Sequence, residues 1–295
     1  MKTAYIFPGQ GSQFVGMGKE VFESNNHAAE YFNKADDILN LSLKDIMFEG
    51  PEDTLKQTEF TQPAIFLHSV ALFKSLDVSP NVVAGHSLGE FSALVACNAV
   101  SFEDALKIVR KRGTLMQQAG EKNPGTMAAI IGMEDEEVEN VCTIAQKNTG
   151  KEVIAANYNC PGQLVISGYK EAVEQAVKLA KENGARLAKL LPVSGAFHSS
   201  LMKPAFDGLK EQLEKLHVSE PICPIYSNYT AKPTSDPEEI RSNLLNQLLN
   251  PVLWTQTLNN MGENGINKFI EVGPGKVLQG LVKRTLKDAE ISGHH

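Results

Sequence analysis

The chain has 295 residues, enough to bury a sizeable core in one or two domains, and its 42% hydrophobic and 21% charged residues are ordinary for a soluble globular protein. A net charge of −7 argues against bulk binding to nucleic acid or to an anionic membrane surface. No apolar run approaches a membrane span, and the start MKTAYIFPGQGSQ lacks the apolar region of a secretory signal. The scattered Cys97, Cys142, Cys160 and Cys223 form no C-x-x-C pair, so no zinc site or disulfide framework is expected, and the expected setting is a reducing cytoplasm.

In chain order, TAYIFPG predicts a short strand ending at Pro8 and Gly9, followed by the turn-rich GQGSQ. Amphipathic helices are predicted around 16–39 and 63–76. The stretch NVVAGHSLGEFSALVA then gives a strand, the turn Gly85-His86-Ser87-Leu88-Gly89, and a helix. A further helix starts at SFEDALKIV, with Ser101 as its N-cap and Asp104 in its first turn. From about 124 to 193 the pattern changes to strand (GTMAAIIG), helix (EDEEVENVCTIAQKN), two strands around a turn at 159–162, helix (KEAVEQAVKLAKENGA) and strand (RLAKLLPVS). That β-α-β-β-α-β order is the ferredoxin-like pattern. PICPIYSN and NKFIEVGPG read as strands returning to the first sheet. The tail ISGHH reads as part of an expression tag, which sets His294 and His295 aside. The fold class expected is therefore α/β, with a mostly parallel sheet and a small inserted domain.

The chemistry concentrates at G-x-S-x-G, where a serine on a sharp strand-to-helix turn becomes an exposed nucleophile. Ser87 at a helix N-terminus also suits an oxyanion, with the N–H of Leu88 as first donor and the FPGQGSQ loop as the source of a second. That loop completes neither G-x-G-x-x-G nor a phosphate-binding loop, which disfavours a nucleotide site. Among the histidines, His86 leaves the turn in another direction, His68 reads as a core residue, and His27 and His217 lie in polar surroundings. His198, in PVSGAFHSS and after Ser87 in the chain, is the candidate base; the alternative is a capping histidine at the next helix start. No acid presents itself as third member of a triad, so a neutral group is expected to orient His198. The base must be neutral to act, so a titration in the histidine range is expected in the pH profile. Arg112 falls on the same helical face as Ile108, Val109, Leu115 and Met116, and a buried guanidinium needs a carboxylate. Glu90 and a substrate carboxylate are both open as that partner.

FPGQGSQ, TQPAIF, GHSLGE, KRGTLMQ, ANYNCPGQ, SGAFHSSLM, NQLLNPVLW and EVGPGKVL, in that order over nearly the whole chain, resemble the malonyl-CoA:acyl carrier protein transacylases. The resemblance implies an α/β-hydrolase-like catalytic domain of residues 1–123 and 194–295, with a ferredoxin-like subdomain of residues 124–193. It implies catalysis by Ser87 and His198, with Gln247 orienting the histidine through its backbone carbonyl. Backbone N–H groups of Gln10 and Leu88 would form the oxyanion hole and Arg112 would hold the malonyl carboxylate. Leu88 and Phe197 match the malonyl-type pattern, and Met116 joins them as a substrate-binding residue. The implied partners are malonyl-CoA and an acidic acyl carrier protein, with Arg186, Lys189, Lys283 and Arg284 as candidate carrier contacts. The basic run LVKRTLK also reads as ordinary helix C-terminal charge. No cofactor or metal is implied, and a monomer is expected. A serine hydrolase or thioesterase, and a catalytically silent acyl-binding module, are the competing readings.

Overall fold

The computed structural model describes residues 2–193 and 195–295. Its ten strands are β1 (Lys2–Phe7), β2 (Val82–Gly85), β3 (Gly125–Ile131), β4 (Val153–Cys160), β5 (Gln163–Tyr169), β6 (Leu187–Leu190), β7 (Ile225–Tyr226), β8 (Pro233–Thr234), β9 (Ile266–Val272) and β10 (Glu290–His294). They form two sheets, one in the order β10-β9-β1-β2-β7-β8 and one in the order β4-β5-β3-β6.

The larger sheet is parallel except at the β7–β8 edge. Its central strands are apolar on both faces, as a sheet covered by helices on each side requires. Along β1, Tyr5 and Phe7 enter one core with the helices Thr58–Ser75 and Phe102–Lys122, while Ala4 and Ile6 enter another with Trp254, Leu258 and Leu281. The smaller sheet is antiparallel and buries one face under the helices Asp135–Thr149 and Lys170–Glu182. Its element order is the β-α-β-β-α-β read from the sequence. It is stitched to the rest of the chain where Tyr158 N–H donates to the Val252 carbonyl and Val252 N–H to that of Ala156, each at 2.9 Å.

Three local expectations change. The segment 16–39 holds two helices, Lys19–Ser24 and Asn26–Leu39, because Asn25 turns extended and caps the second by accepting from Ala28 N–H. The helix expected from Pro63 begins earlier, at Thr58. Pro63 has no N–H for the Glu59 carbonyl one turn back, and the Arg110 guanidinium donates to that carbonyl instead. The C-terminal residues set aside as a tag form strand: β10 pairs in parallel with β9 from Glu290 opposite Lys268 to His294 opposite Val272.

Candidate active site

Ser87 sits at φ +51°, a left-handed conformation that costs an L-residue energy and aims its side chain out of the strand-to-helix turn. The flanking glycines make that turn possible. A Cβ on Gly85 would lie 1.9 Å from the Gly89 carbonyl carbon, and one on Gly89 would lie 2.1 Å from the Phe7 carbonyl oxygen. The strand feeding the turn is β2, and the helix leaving it is Gly89–Ala96. Asn228, following β7, clamps the turn from outside: its side-chain oxygen accepts from Ser87 N–H at 2.5 Å and its amide donates to the Gly85 carbonyl at 2.6 Å.

That clamp occupies the N–H of Ser87 itself. The N–H groups of Leu88 and Gln10 have no hydrogen-bond partner among the described residues, and both residues line one cavity of about 200 Å³ with Ser87, His198, Phe197 and Met116. Two unpaired donors beside a nucleophile are what a developing oxyanion needs.

His198 lies 2.8 Å from Ser87 Oγ through Nε2, and its Nδ1 lies 2.8 Å from the Gln247 carbonyl oxygen. A carbonyl can only accept, so Nδ1 carries the proton and Nε2 is left with a lone pair facing the serine hydroxyl. The neutral orienting group expected in place of a triad acid is therefore this main-chain carbonyl. The capping alternative for His198 fails, because Ser199 caps the following turn by accepting from Leu201 N–H. Burial, with the Arg112 charge beside it, drives His198 down to about 3, well below the histidine range in which the sequence reading puts its titration.

Arg112 is 1% exposed, as its helical face requires, and has no carboxylate within ion-pair distance among the described residues. Its two terminal nitrogens donate to Gln62 Oε1 at 2.7 Å, to Gln247 Oε1 at 3.0 Å and to Ser87 Oγ at 3.2 Å. Glu90, the internal partner left open by the sequence, does not reach it. The Gln247 side chain stands between them, accepting from Arg112 and donating to Glu90 Oε2 at 2.7 Å. Desolvation lowers Arg112 to about 10 and raises Glu90 to about 7, in each case against the opposing charge of the other. A cation fixed 3.2 Å from the nucleophile, with neutral partners only, is poised for a negatively charged group on the substrate.

The structure thus brings together Ser87, His198, Gln247, Arg112, Gln10, Leu88, Phe197 and Met116. Sequence reasoning missed Gln62, Asn228 and the part played by Glu90. Gln62 lies in TQPAIF and Glu90 in GHSLGE, but a neutral amide or a helix carboxylate carries no periodic signal that would single it out. His68 is buried as read, and burial lowers it to about 4. A larger cleft of about 500 Å³ lies elsewhere, around Tyr31, Lys74 and His217. Its polar groups bond one another, as in Lys34 with Glu103, Lys74 with Asn98 and Ser101 with Asp104.

Residues 4–294 match the family model described as acyl transferase domain. The chain is 46% identical over 297 residues to the malonyl CoA-acyl carrier protein transacylase of Bacillus subtilis (strain 168), covering 99% of this chain and 93% of that protein. Among solved structures it is similar to an acyl carrier protein S-malonyltransferase from Vibrio cholerae O1 biovar eltor str. N16961, with a TM-score of 0.95 and 43% identity over 100% of this chain and 97% of that one. It is also similar, at a TM-score of 0.95 and 39% identity, to a chain of the complex described as a type II PKS acyl-carrier protein in complex with its malonyl-transacylase, covering 99% of this chain and 95% of that one.

Proposed function

The chain belongs to the acyl transferase domain family, among the malonyl CoA-acyl carrier protein transacylases, and from that membership we propose that it moves a malonyl group from malonyl-CoA to the phosphopantetheine thiol of an acyl carrier protein. The product would serve fatty acid chain elongation. The observation that carries the reading is Arg112: a buried guanidinium touching the nucleophile, with no carboxylate within ion-pair distance among the described residues. A hydrolase of neutral acyl groups has no use for that costly charge.

In the first half-reaction, Ser87 Oγ attacks the thioester carbonyl carbon while His198 Nε2 takes the hydroxyl proton. The carbonyl oxygen becomes an oxyanion that the N–H groups of Leu88 and Gln10 receive. Collapse breaks the carbon–sulfur bond, and the coenzyme A sulfur leaves with the proton held by His198. This leaves malonyl-Ser87, its carboxylate held by Arg112. In the second half-reaction His198 takes the proton of the carrier thiol, the sulfur attacks the ester carbonyl, and Ser87 Oγ leaves with that proton. The Gln247 carbonyl keeps His198 in the one tautomer that serves both steps. Phe197 and Met116, which line the cavity, bound the space at the acyl α-carbon.

The fold assigned on the same basis is an α/β-hydrolase-like domain of residues 1–123 and 194–295 with a ferredoxin-like subdomain of residues 124–193; the strand order β4-β5-β3-β6 supports the latter. The carrier protein would dock by the cavity mouth. Arg186, Lys189, Lys283 and Arg284 are exposed, and Leu191 and Leu281, neighbours of two of them in sequence, line the cavity. The protein would work in the cytoplasm as a monomer, without nucleic acid. No helix of the described residues is long and apolar enough to cross a membrane.

The test is the intact mass of the protein after incubation with malonyl-CoA. The expected result is a stable malonyl adduct, absent in Ser87→Ala, that discharges on adding holo carrier protein and persists in buffer. Discharge by water at the same rate with or without carrier would replace the transferase by a hydrolase.

A further inference from the structure

We infer that Glu90 is a positioning residue for the transfer reaction, one carboxylate oxygen holding the nucleophile and its base in register; the inference rests on the functional reading above. Glu90 Oε2 accepts two hydrogen bonds, from Gln247 Nε2 at 2.7 Å and from Asn228 N–H at 3.1 Å. Each of those residues holds one of the reacting partners. Asn228 grips the elbow at its strained residue and just before it, through Ser87 N–H at 2.5 Å and the Gly85 carbonyl at 2.6 Å. Gln247 orients His198 through its main-chain carbonyl at 2.8 Å, and its side chain meets the Ser87 carbonyl and Arg112 Nη2, both at 3.0 Å.

Three segments far apart in sequence therefore meet at a single oxygen. Glu90 comes from the first turn of the helix Gly89–Ala96, Asn228 from the loop after β7, and Gln247 from the end of the helix Pro237–Asn246. Ser87 at φ +51° and His198 at φ +59° both occupy a left-handed conformation that persists only where surrounding bonds over-determine it. Glu90 does so from a buried position, where its two donors would otherwise be left without partners. It does not touch the substrate cavity, and it meets neither His198 nor Arg112 directly, since Gln247 lies between. A direct proton relay and a simple counter-ion role both fail on that geometry.

Three substitutions separate the possibilities. Glu90→Gln keeps an acceptor oxygen for both donors and removes the charge. Glu90→Leu removes the acceptor. Glu90→Asp keeps the carboxylate and withdraws it by one methylene, which preserves folding if the leucine variant does not fold. Two rates are read on each: kcat for malonyl transfer to holo carrier protein, and the rate of Ser87 labelling by a neutral sulfonyl fluoride, which needs Ser87 and His198 but not the carboxylate site. Labelling stoichiometry counts the folded sites. Per folded site, both rates should fall about 10²-fold in Glu90→Leu and about tenfold in Glu90→Asp, with the KM for malonyl-CoA within about threefold, the scale on which a misplaced reacting group costs rate. Glu90→Gln should stay within about threefold of the unmodified protein on both. A Glu90→Leu/Gln247→Leu double variant should lose less than the product of the two single losses, because the two residues share one contact. Rates per folded site that are unchanged in Glu90→Leu or Glu90→Asp, a Glu90→Gln as slow as Glu90→Leu, or fully multiplicative losses in the double variant would each overturn the inference. If the unmodified protein is labelled but transfers no malonyl group, the functional reading fails, and the labelling arm still decides the role of Glu90.

Discussion

Arg112→Ala gives the most direct measure of whether the buried guanidinium is a substrate group. Its three hydrogen bonds end on neutral partners, Gln62, Gln247 and Ser87, so the only formal charge it would neutralise at the nucleophile is the substrate's. Losing one member of a buried, hydrogen-bonded ion pair costs about 3–5 kcal/mol, which at about 1.36 kcal/mol per tenfold is roughly two to four orders of magnitude in kcat/KM for malonyl-CoA. An acetyl group brings no carboxylate, so its transfer should lose about tenfold at most, from the slackened Gln247. The two carboxamide oxygens left without their donor should also destabilise the fold by about 1–3 kcal/mol each, so thermal unfolding is measured alongside. The assay compares initial rates with malonyl-CoA and acetyl-CoA at subsaturating concentration, at a temperature where the variant is folded. A drop of at least tenfold in the malonyl-to-acetyl ratio is expected. An equal proportional loss for both acyl groups would refute the assignment and make Arg112 a structural residue.

Gly85→Ala should prevent the elbow from forming, because its Cβ would overlap the Gly89 carbonyl carbon at 1.9 Å; a loss above about 4 kcal/mol by chemical unfolding is expected, and a loss below 1 kcal/mol would disprove the close approach. Phe197→Ala should ease entry of methylmalonyl-CoA relative to malonyl-CoA by about 1–3 kcal/mol in the ratio of kcat/KM, the scale of one methyl group in an apolar pocket; an unchanged ratio would remove Phe197 from the specificity determinants. His198 is lowered to about 3, so the half-point of Ser87 acylation on acidification should lie well below pH 6.5; a half-point at 6.5 would show an unshifted base. The same depressed value gives a stability contribution present above pH 6.5 and lost as pH falls towards 3, so His198→Gln should flatten the acid side of the stability profile. Glu90 has the opposite sign. Raised from 4.5 to about 7, it contributes stability below pH 4.5 that is lost as pH rises through 7, so Glu90→Gln should gain up to about 3 kcal/mol on the unmodified protein between pH 4.5 and 8; a constant difference across that range would contradict the shift.

Local sequence determined the conformations that local chemistry can encode. GHSLG specifies the elbow because only glycine at 85 and 89 lets helix, strand and β1 approach so closely. The period of KIVRKRGTLM places Arg112 on the core face, and Ser101 with Asp104 starts its helix where expected, the serine accepting from Asp104 N–H at 3.1 Å. The β-α-β-β-α-β order is visible because each element has its own period. His198 was legible as the histidine after a strand, among small residues, downstream of Ser87. Helix boundaries were less so: Pro63 suggested a start that the Arg110 guanidinium, 51 residues away from Glu59 in sequence, made unnecessary. The tail EISGH carries little apolar pattern, and as an edge strand it takes its conformation from hydrogen bonds to β9.

Tertiary structure alone decided which partner each buried polar group has. Glu90 and Arg112 face the same interior, and sequence offered them as a pair, yet the amide of Gln247 comes between them from 135 residues beyond Arg112. That interposition leaves the arginine uncompensated beside Ser87 and ties the carboxylate to the elbow and the base instead. A buried hydrogen bond is directional and short-ranged, so its partner is set by where distant segments meet, and a neutral amide leaves no charge or hydrophobic periodicity in the sequence by which to find it.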